Sequence, residues 1–294
     1  MRIAVVGASG LLGSELRRQL AGEAHSLARP GFDLADAASV RRTLTELQPE
    51  AVINAAAYTD VDRAEAEPDL CRRINVAGVA ALVEACRSIG CPLVQVSTDY
   101  VFGGDHGSGT TADADRDVPY RETDAPNPRG VYAASKRDAE LIAAEYPRHL
   151  IVRTAGLFGP TDSTDTARPG RRRHFVETML ALGRQRGSLR VVADQRLSPS
   201  YTQHVARAIL WLLRSSARGT YHVVNAGEAT WLELAAEAFR LANLDVTLTP
   251  ITAAEYAAPA PRPRYSVLDC GKYAALGGPP LPKWQAALAE YLAE

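Results

Sequence analysis

A tyrosine and a lysine stand one helical turn apart in Tyr132-Ala133-Ala134-Ser135-Lys136. Residues i and i+4 share a helix face, so the phenol and the ammonium point the same way. A phenol titrates near ~10 and is a weak base at neutral pH. A neighbouring cation favours its ionised form, as an oxidised nicotinamide does. In the reductive direction such a phenol gives its proton to a carbonyl oxygen as hydride arrives. The ammonium can also hold ribose hydroxyls. By itself the spacing is common on helix surfaces and says little.

It gains meaning from the start of the chain. Ile3-Ala4-Val5-Val6 runs into Gly7-Ala8-Ser9-Gly10-Leu11-Leu12-Gly13. A strand, a glycine turn and a helix start hold a dinucleotide pyrophosphate on the helix N-terminus. Gly7 serves the tight turn, Gly10 the approach of the pyrophosphate, and Gly13 the packing of helix on strand. Together the two motifs predict hydride transfer to or from a carbonyl, with Tyr132 as the proton carrier. Asp33, about 20 residues past the turn, can bind the adenosine ribose. Arg29, at the end of the expected second strand, can pair bidentately with a 2′-phosphate. These signals compete. The reading leans to NADPH, with NADH as the alternative and Asp33 and Leu34 flanking the adenine.

Ser97 and Thr98 end another apolar run, in Ser97-Thr98-Asp99-Tyr100-Val101-Phe102. Open parallel sheets build their sites at carboxyl ends of strands. Either hydroxyl can donate to a developing oxyanion, but strand alternation lets one face the site.

The elements that must position these groups are legible from periodicity. Strands are expected over residues 2–6, 25–29, 51–57, 93–97 and 149–153. Helices are expected over 11–21, 40–47, 69–88 and 131–145. This alternation predicts a Rossmann-type doubly wound parallel sheet. Beyond residue 155 come a helix over 175–186, a strand over 189–193, a helix over 203–214, and a strand over 220–224. A helix over 231–242, capped by Thr230, and a Pro/Ala-rich loop over 250–264 follow. A smaller, discontinuous α/β substrate domain is therefore expected. Residues 1–155 with about 200–224 form the dinucleotide-binding domain, and 156–199 with 225–294 the substrate domain. The polar, Gly-rich stretch 103–119 reads as a surface insertion that can act as a substrate-covering lid.

The bulk properties exclude several classes. The 294 residues carry a net charge of −1, with 46% hydrophobic and 23% charged residues. Neither nucleic acid nor a membrane is expected as partner. Arg168 and Arg171-Arg172-Arg173 form a local basic run, expected to be solvated. With a strand expected from residue 2, no signal peptide is expected. Cys71, Cys86, Cys91 and Cys270 lack metal-ligand spacing and read as reduced thiols, so the expected location is cytoplasmic.

The chain resembles the dTDP-4-dehydrorhamnose reductases, the RmlD group of extended short-chain dehydrogenases/reductases. The likeness covers nearly its whole length. It rests on Gly7-x-x-Gly10-x-x-Gly13, on Asn54-Ala55-Ala56-Ala57-Tyr58-Thr59-Asp60-Val61-Asp62 and on Glu65. It continues through Ser97-Thr98-Asp99-Tyr100-Val101-Phe102, Tyr132-x-x-x-Lys136 and Arg153-Thr154. Further matches are Phe175-Val176-x-Thr178-Met179-Leu180, Asp194-Gln195 and Arg262-Pro263. The stretches beginning at Asn54 and Ser97 are the most specific.

The resemblance implies Thr98, Tyr132 and Lys136 as a catalytic trio. It implies Gly10, Leu11, Leu12, Asp33, Leu34, Ala55, Ala56, Ala57 and Thr59 around the cofactor. It implies Thr98, Asp99 and Tyr100 near the sugar, and Arg262 near the nucleotide diphosphate. The implied reaction is NAD(P)H-dependent reduction of the C4 ketone of a dTDP-4-keto-6-deoxy-hexose, giving dTDP-L-rhamnose in the rhamnose case. The implied partners are a dTDP-linked keto sugar and a second copy of the chain, as a homodimer. A related 4-keto sugar nucleotide, or a non-catalytic cofactor-binding regulatory role, are the alternatives. The intact Tyr132 and Lys136 argue against the second. The sequence departs from the family in two places. Ala155-Gly156 stand where a Trp often follows Arg-Thr, and the stretch after Phe102 is long. Some members hold magnesium through several glutamates. Here Glu15 is present, but Arg190 and Gln285 occupy the other regions, so no metal is expected.

Overall fold

The computed structural model describes residues 1–103, 116–160 and 173–294. The chain opens with β1 (Ile3–Val6), α1 (Leu11–Leu20), β2 (Ala24–Leu27), α2 (Ala37–Leu47) and β3 (Ala51–Asn54). It continues through α3 (Val61–Ala66), α4 (Pro68–Arg72), α5 (Gly78–Ile89), β4 (Leu93–Thr98), α6 (Gly130–Ala144) and β5 (His149–Thr154). Next come β6 (Leu157–Phe158), α7 (Phe175–Gln185), β7 (Ser188–Val192), β8 (Arg196–Leu197), β9 (Ser200–Tyr201), α8 (Thr202–Arg214) and β10 (Gly219–His222). The last elements are β11 (Ala229–Thr230), α9 (Trp231–Leu241), β12 (Thr247–Ile251), α10 (Ala253–Tyr256), α11 (Gly271–Ala275) and α12 (Trp284–Ala293).

Six strands form one parallel sheet in the order β2-β1-β3-β4-β5-β10. Apolar residues on successive positions go to opposite faces. Ile3, Val5, Ile53, Val94 and Val152 pack under α1 and α8. Ala4, Val6, Val52, Leu93 and Ile151 pack under α2, α5 and α6. Burial on both faces is why these strands read as continuous apolar runs. The expected doubly wound parallel sheet is therefore present. The chain leaves β1 toward β2 on one side and returns to β3 on the other. That switch point opens a crevice at the carboxyl ends of β1 and β3.

Another hydrophobic cluster draws on residues from 158 onward. Phe158, Val176, Leu180, Leu189, Leu234, Phe239, Trp284 and Leu288 meet there. The expected cap on α9 is a full capping box, with Thr230 and Glu233 each accepting the other's backbone N–H.

Several local readings change. β3 ends at Asn54, three residues before the end of the expected 51–57, and β10 at His222, two before the end of the expected 220–224. The helix expected over 69–88 is broken by a π-turn at Arg73–Ala77. Its apolar period is continuous, so the extra residue leaves no trace in the pattern. The region expected as a loop over 250–264 contains the end of β12 and the one-turn α10. β12 pairs with β7 at the edge of a two-stranded sheet, where Pro250 costs no needed donor. β2 ends at Leu27, two residues earlier than expected, so Arg29 lies in the following turn. Most of the insertion, residues 104–115, and Arg168, Arg171 and Arg172 of the basic run lie outside the described residues. Arg173 stands 3.7 Å from Glu177.

A Cβ on Gly13 would collide with the Gly7 carbonyl, because α1 starts directly against the turn. Gly13→Ala is expected to lower stability by about 1–3 kcal/mol, the usual range for overpacking. Chemical denaturation of the two proteins measures the difference.

Candidate active site

The crevice beside β1 is shaped by backbone. Gly7 has φ +79°, and a Cβ there would lie 2.7 Å from the Ala56 nitrogen. Its N–H donates to Leu27 O at 2.8 Å, and its carbonyl accepts from Gly10 N at 2.9 Å. Gly10 caps α1 without a side chain, and no acid stands in the first turn. An anionic pyrophosphate fits that helix start. Across the crevice, Ala55 N donates to Val6 O at 2.9 Å and Ala56 N to Asn54 Oδ1 at 3.1 Å. Ala57 and Thr59 follow in the same segment, Ala57 half-buried and Thr59 exposed. Leu11 is half-buried at the crevice, whereas Leu12 is buried among core residues.

The adenosine end is mixed. Arg29 is exposed in the turn after β2. Asp33 accepts from Ala35 N at 2.9 Å, closing its own turn. Leu34 is 5% exposed and packs with Val40, Leu44 and Val79, so its side chain belongs to the core. Its side chain also occupies the space a Cβ on Gly78 would need.

β4 and α6 bring the catalytic candidates together. Thr98 ends β4, and its hydroxyl lies against the Tyr132 phenol. That hydroxyl donates to Asp99 Oδ1 at 3.1 Å and accepts from Tyr100 N at 3.2 Å. Ser97 points the other way, toward Glu140. Strand alternation therefore gives the site-facing hydroxyl to Thr98. Lys136 is 4% exposed, and its Nζ donates to the Val96 carbonyl at 2.7 Å. Burial lowers this ammonium to about 8, against the opposing pull of Glu140. Burial also raises the Tyr132 phenol well above its ordinary range. The expectation that Lys136 draws the phenol toward phenolate does not hold here. Desolvation outweighs the Thr98 hydrogen bond, and the Lys136 Nζ is turned to Val96, so the phenol stays protonated.

The sugar-side candidates adjoin this trio. The Tyr100 ring meets Tyr132 edge to face, with centroids 6.2 Å apart. Asp99 is 3% exposed, and Ser266 Oγ donates to it at 2.6 Å. Burial pushes the Asp99 carboxyl up to about 6. Arg262 is gripped by Asp62, with Nη1 to Oδ1 at 2.9 Å and Nη2 to Oδ2 at 2.8 Å. The Tyr100 phenol lies against the same guanidinium. Pro261 packs over Gly130 and Pro263 over Gly103, which clamps this loop onto the β4–α6 side.

The remaining departures from the family pattern are also placed. Ala155 is buried beside Val101, Phe102 and Tyr265. Glu15 is 2% exposed, and Arg18 donates to both of its oxygens at 2.8 and 2.8 Å. Among the described residues no group of three or more His, Cys, Asp or Glu side chains gathers as a metal cage.

The sequence reading missed the positioning roles of several residues. Asn75, inside the π-turn, accepts from Tyr58 N at 2.7 Å and donates to Ser135 Oγ at 2.9 Å. It thereby ties the wall after β3 to α6. An asparagine inside an apolar helix pattern was the available signal. Glu65 Oε1 accepts from Val131 N at 2.8 Å and so caps the start of α6. Ser266, 167 residues from Asp99, carries no local signal.

Comparison with known proteins places the chain in a family. The family model described as RmlD substrate binding domain matches residues 1–294. A "dTDP-4-dehydrorhamnose reductase" from Streptomyces griseus is 39% identical over 297 residues, covering 97% of this chain and 91% of the relative. A "Probable dTDP-4,6-dihydroxy-2-methyloxan-3-one 4-ketoreductase" from Streptomyces antibioticus is 38% identical, covering 99% of this chain and 94% of the relative. The crystal structure of dTDP-4-dehydrorhamnose reductase from Bacillus anthracis str. Ames in complex with NADP superposes with TM-score 0.89. It is 34% identical and covers 99% of this chain and 98% of that one. With its crevice, its Thr98-Tyr132-Lys136 cluster and this full-length match, the chain belongs to the RmlD substrate binding domain family.

Proposed function

We propose that this protein reduces the C4 ketone of a dTDP-4-keto-6-deoxy-hexose, dTDP-4-dehydrorhamnose above all, to the alcohol of dTDP-L-rhamnose. One observation carries the reading. The Thr98 hydroxyl, the protonated Tyr132 phenol and the buried Lys136 ammonium converge at the carboxyl end of β4, beside the dinucleotide crevice. The name and NADP content of the family members support the substrate and cofactor.

NADPH, when bound, supplies the hydride. Gly7, Gly10, Leu11, Ala55, Ala56, Ala57 and Thr59 bound the space for it, and the open start of α1 receives its pyrophosphate. Arg29 takes the 2′-phosphate, because Asp33 is engaged with its own turn. Thr98 turns its hydroxyl from Asp99 to the substrate oxygen. Tyr132 gives its proton to that oxygen as the C–H bond forms. Lys136 offsets the negative charge left on the phenol. Arg262, held by Asp62, presents a guanidinium to the nucleotide diphosphate. Cys71, Cys86 and Cys91 are buried free thiols, which supports a reducing, cytoplasmic location.

A second reading is a related 4-keto sugar nucleotide, because the Streptomyces antibioticus relative is 38% identical, close to the 39% of the first. Assay against a panel of nucleotide-linked 4-keto sugars, with NMR of the products, separates the two.

Tyr132→Phe removes the proton and keeps the ring. Turnover is expected to fall about 10²–10⁴-fold, the usual worth of general acid catalysis, with NADPH binding retained. A variant that still turns over at the parent rate would sink the assignment. Turnover of the parent is also expected to decline as the pH rises through about 8, where Lys136 loses its charge. Arg29→Ala is expected to weaken NADPH roughly tenfold or more while leaving NADH nearly unchanged, the loss of one charge-assisted contact. Equal losses in fluorescence titrations of the two cofactors would exclude Arg29 as the phosphate reader.

A further inference from the structure

Lys136 is one of three lysines in the chain, with Lys272 and Lys283. One turn beyond it on α6 stands Glu140, only 1% exposed. Arg153, at the end of β5, grips this carboxylate with two parallel bonds, Nε to Oε1 and Nη2 to Oε2, both 2.8 Å. Arg137 adds a third contact at 3.1 Å. Arg153 is itself buried. Its guanidinium lies 5.0 Å from the Phe102 ring centroid and its Nη1 lies 3.3 Å from His222 Nε2.

His222 Nδ1 faces the Tyr120 and Asp269 carbonyls at 3.1 and 3.2 Å. Carbonyls only accept, so Nδ1 carries the proton and Nε2 accepts from Arg153. Burial lowers this imidazole to about 3, so it adds no charge. The groups bearing on Lys136 come from three elements. Glu140 lies on α6, Cys71 on α4, and the Val96 carbonyl on β4. Burial keeps the Cys71 thiol protonated. Of these groups, Glu140 alone is anionic.

A buried ammonium bonded to one carbonyl is poorly compensated for lost water. A carboxylate one turn away acts on it through a low-dielectric interior, where charge interactions are strong. We infer that Glu140 is a positioning residue for the reduction: clamped by Arg153, it fixes the turn of α6 that carries Lys136, and its charge keeps Lys136 an ammonium beside Tyr132. This rests on the reading of Tyr132 and Lys136 as the proton-donating pair. The competing account is a plain brace between α6 and β5, with no influence on Lys136.

Lysine labelled with ¹⁵N gives three side-chain signals in the full-length protein, so NMR can follow the titration of Lys136 directly. Glu140→Gln keeps shape and removes charge. The Lys136 midpoint is expected to fall by about one pH unit or more, because the ammonium loses its attracting charge. Lys272 and Lys283 should not move. The alkaline limb of turnover should shift the same way, with NADPH affinity little changed, and Glu140→Asp should restore much of the midpoint. Glu140→Gln leaves Arg153 unpaired, so Glu140→Gln/Arg153→Met serves as the neutral counterpart if the single variant does not fold. There too the midpoint should fall. An unmoved Lys136 midpoint in either folded variant would overturn the inference and leave the brace. The titration needs no substrate. A parent protein inactive on every keto sugar nucleotide would therefore refute the proposed function while the Glu140 result still stood or fell by itself.

Discussion

The helix α6 presents both Tyr132 and Lys136, and it is held in place by two carboxylates. Glu65, from α3, accepts from Val131 N at the helix start. Glu140, in the third turn, is locked to Arg153 of β5. Their weights differ. A capping contact is worth about 0.5–2 kcal/mol. Breaking a buried ion pair by removing one partner costs about 3–5 kcal/mol, since an uncompensated charge remains. Against a total stability of about 5–15 kcal/mol, the Glu140–Arg153 pair is the constraint that the placement of α6 depends on. Its register against β4 and β5 then sets where the phenol meets Thr98.

The rest of the site follows from the parallel sheet. All six strands end on the same side, so Gly7, Ala55, Thr98 and Thr154 lie at one edge. The switch between β1 and β3 leaves a crevice there, floored by backbone that tolerates no Cβ at Gly7. The C-terminal segment completes the site from outside. Ser266 holds Asp99, Asp62 holds Arg262, and the two prolines flanking Arg262 pack on Gly103 and Gly130. A carboxylate on each side of Tyr100 thus orders the surface where a charged sugar nucleotide would lie. One of them, Asp99, is raised by burial to about 6, so it takes up a proton at mildly acid pH.

Electrostatics separates the members of the trio. Tyr132 is too deeply desolvated to ionise, which suits a proton donor. Lys136 is lowered toward neutral pH by the same burial, which makes its charge sensitive to what surrounds it. The two neighbours on one helix therefore respond to a common cause in opposite chemical senses. Each is pushed toward its uncharged form, and that form is active for the phenol and inactive for the ammonium.

Much of this was legible in the sequence, for local reasons. Short apolar runs marked β1, β3, β4 and β5, because strands buried on both faces need no alternation. Gly7-x-x-Gly10-x-x-Gly13 and the i, i+4 spacing of Tyr132 and Lys136 are short-range patterns, so their geometry came with them. The tertiary structure decided what depends on distant partners. The choice of Thr98 over Ser97 follows from the facing of β4. The state of Tyr132 follows from burial rather than from its neighbour in sequence. The π-turn that aims Asn75 and the burial of the Leu34 side chain against Gly78 leave no periodic signature. The pairs Asp62–Arg262 and Asp99–Ser266 join residues 200 and 167 positions apart. Charge pairing and desolvation act through space, so the sequence names the groups, and only the fold determines which of them meet.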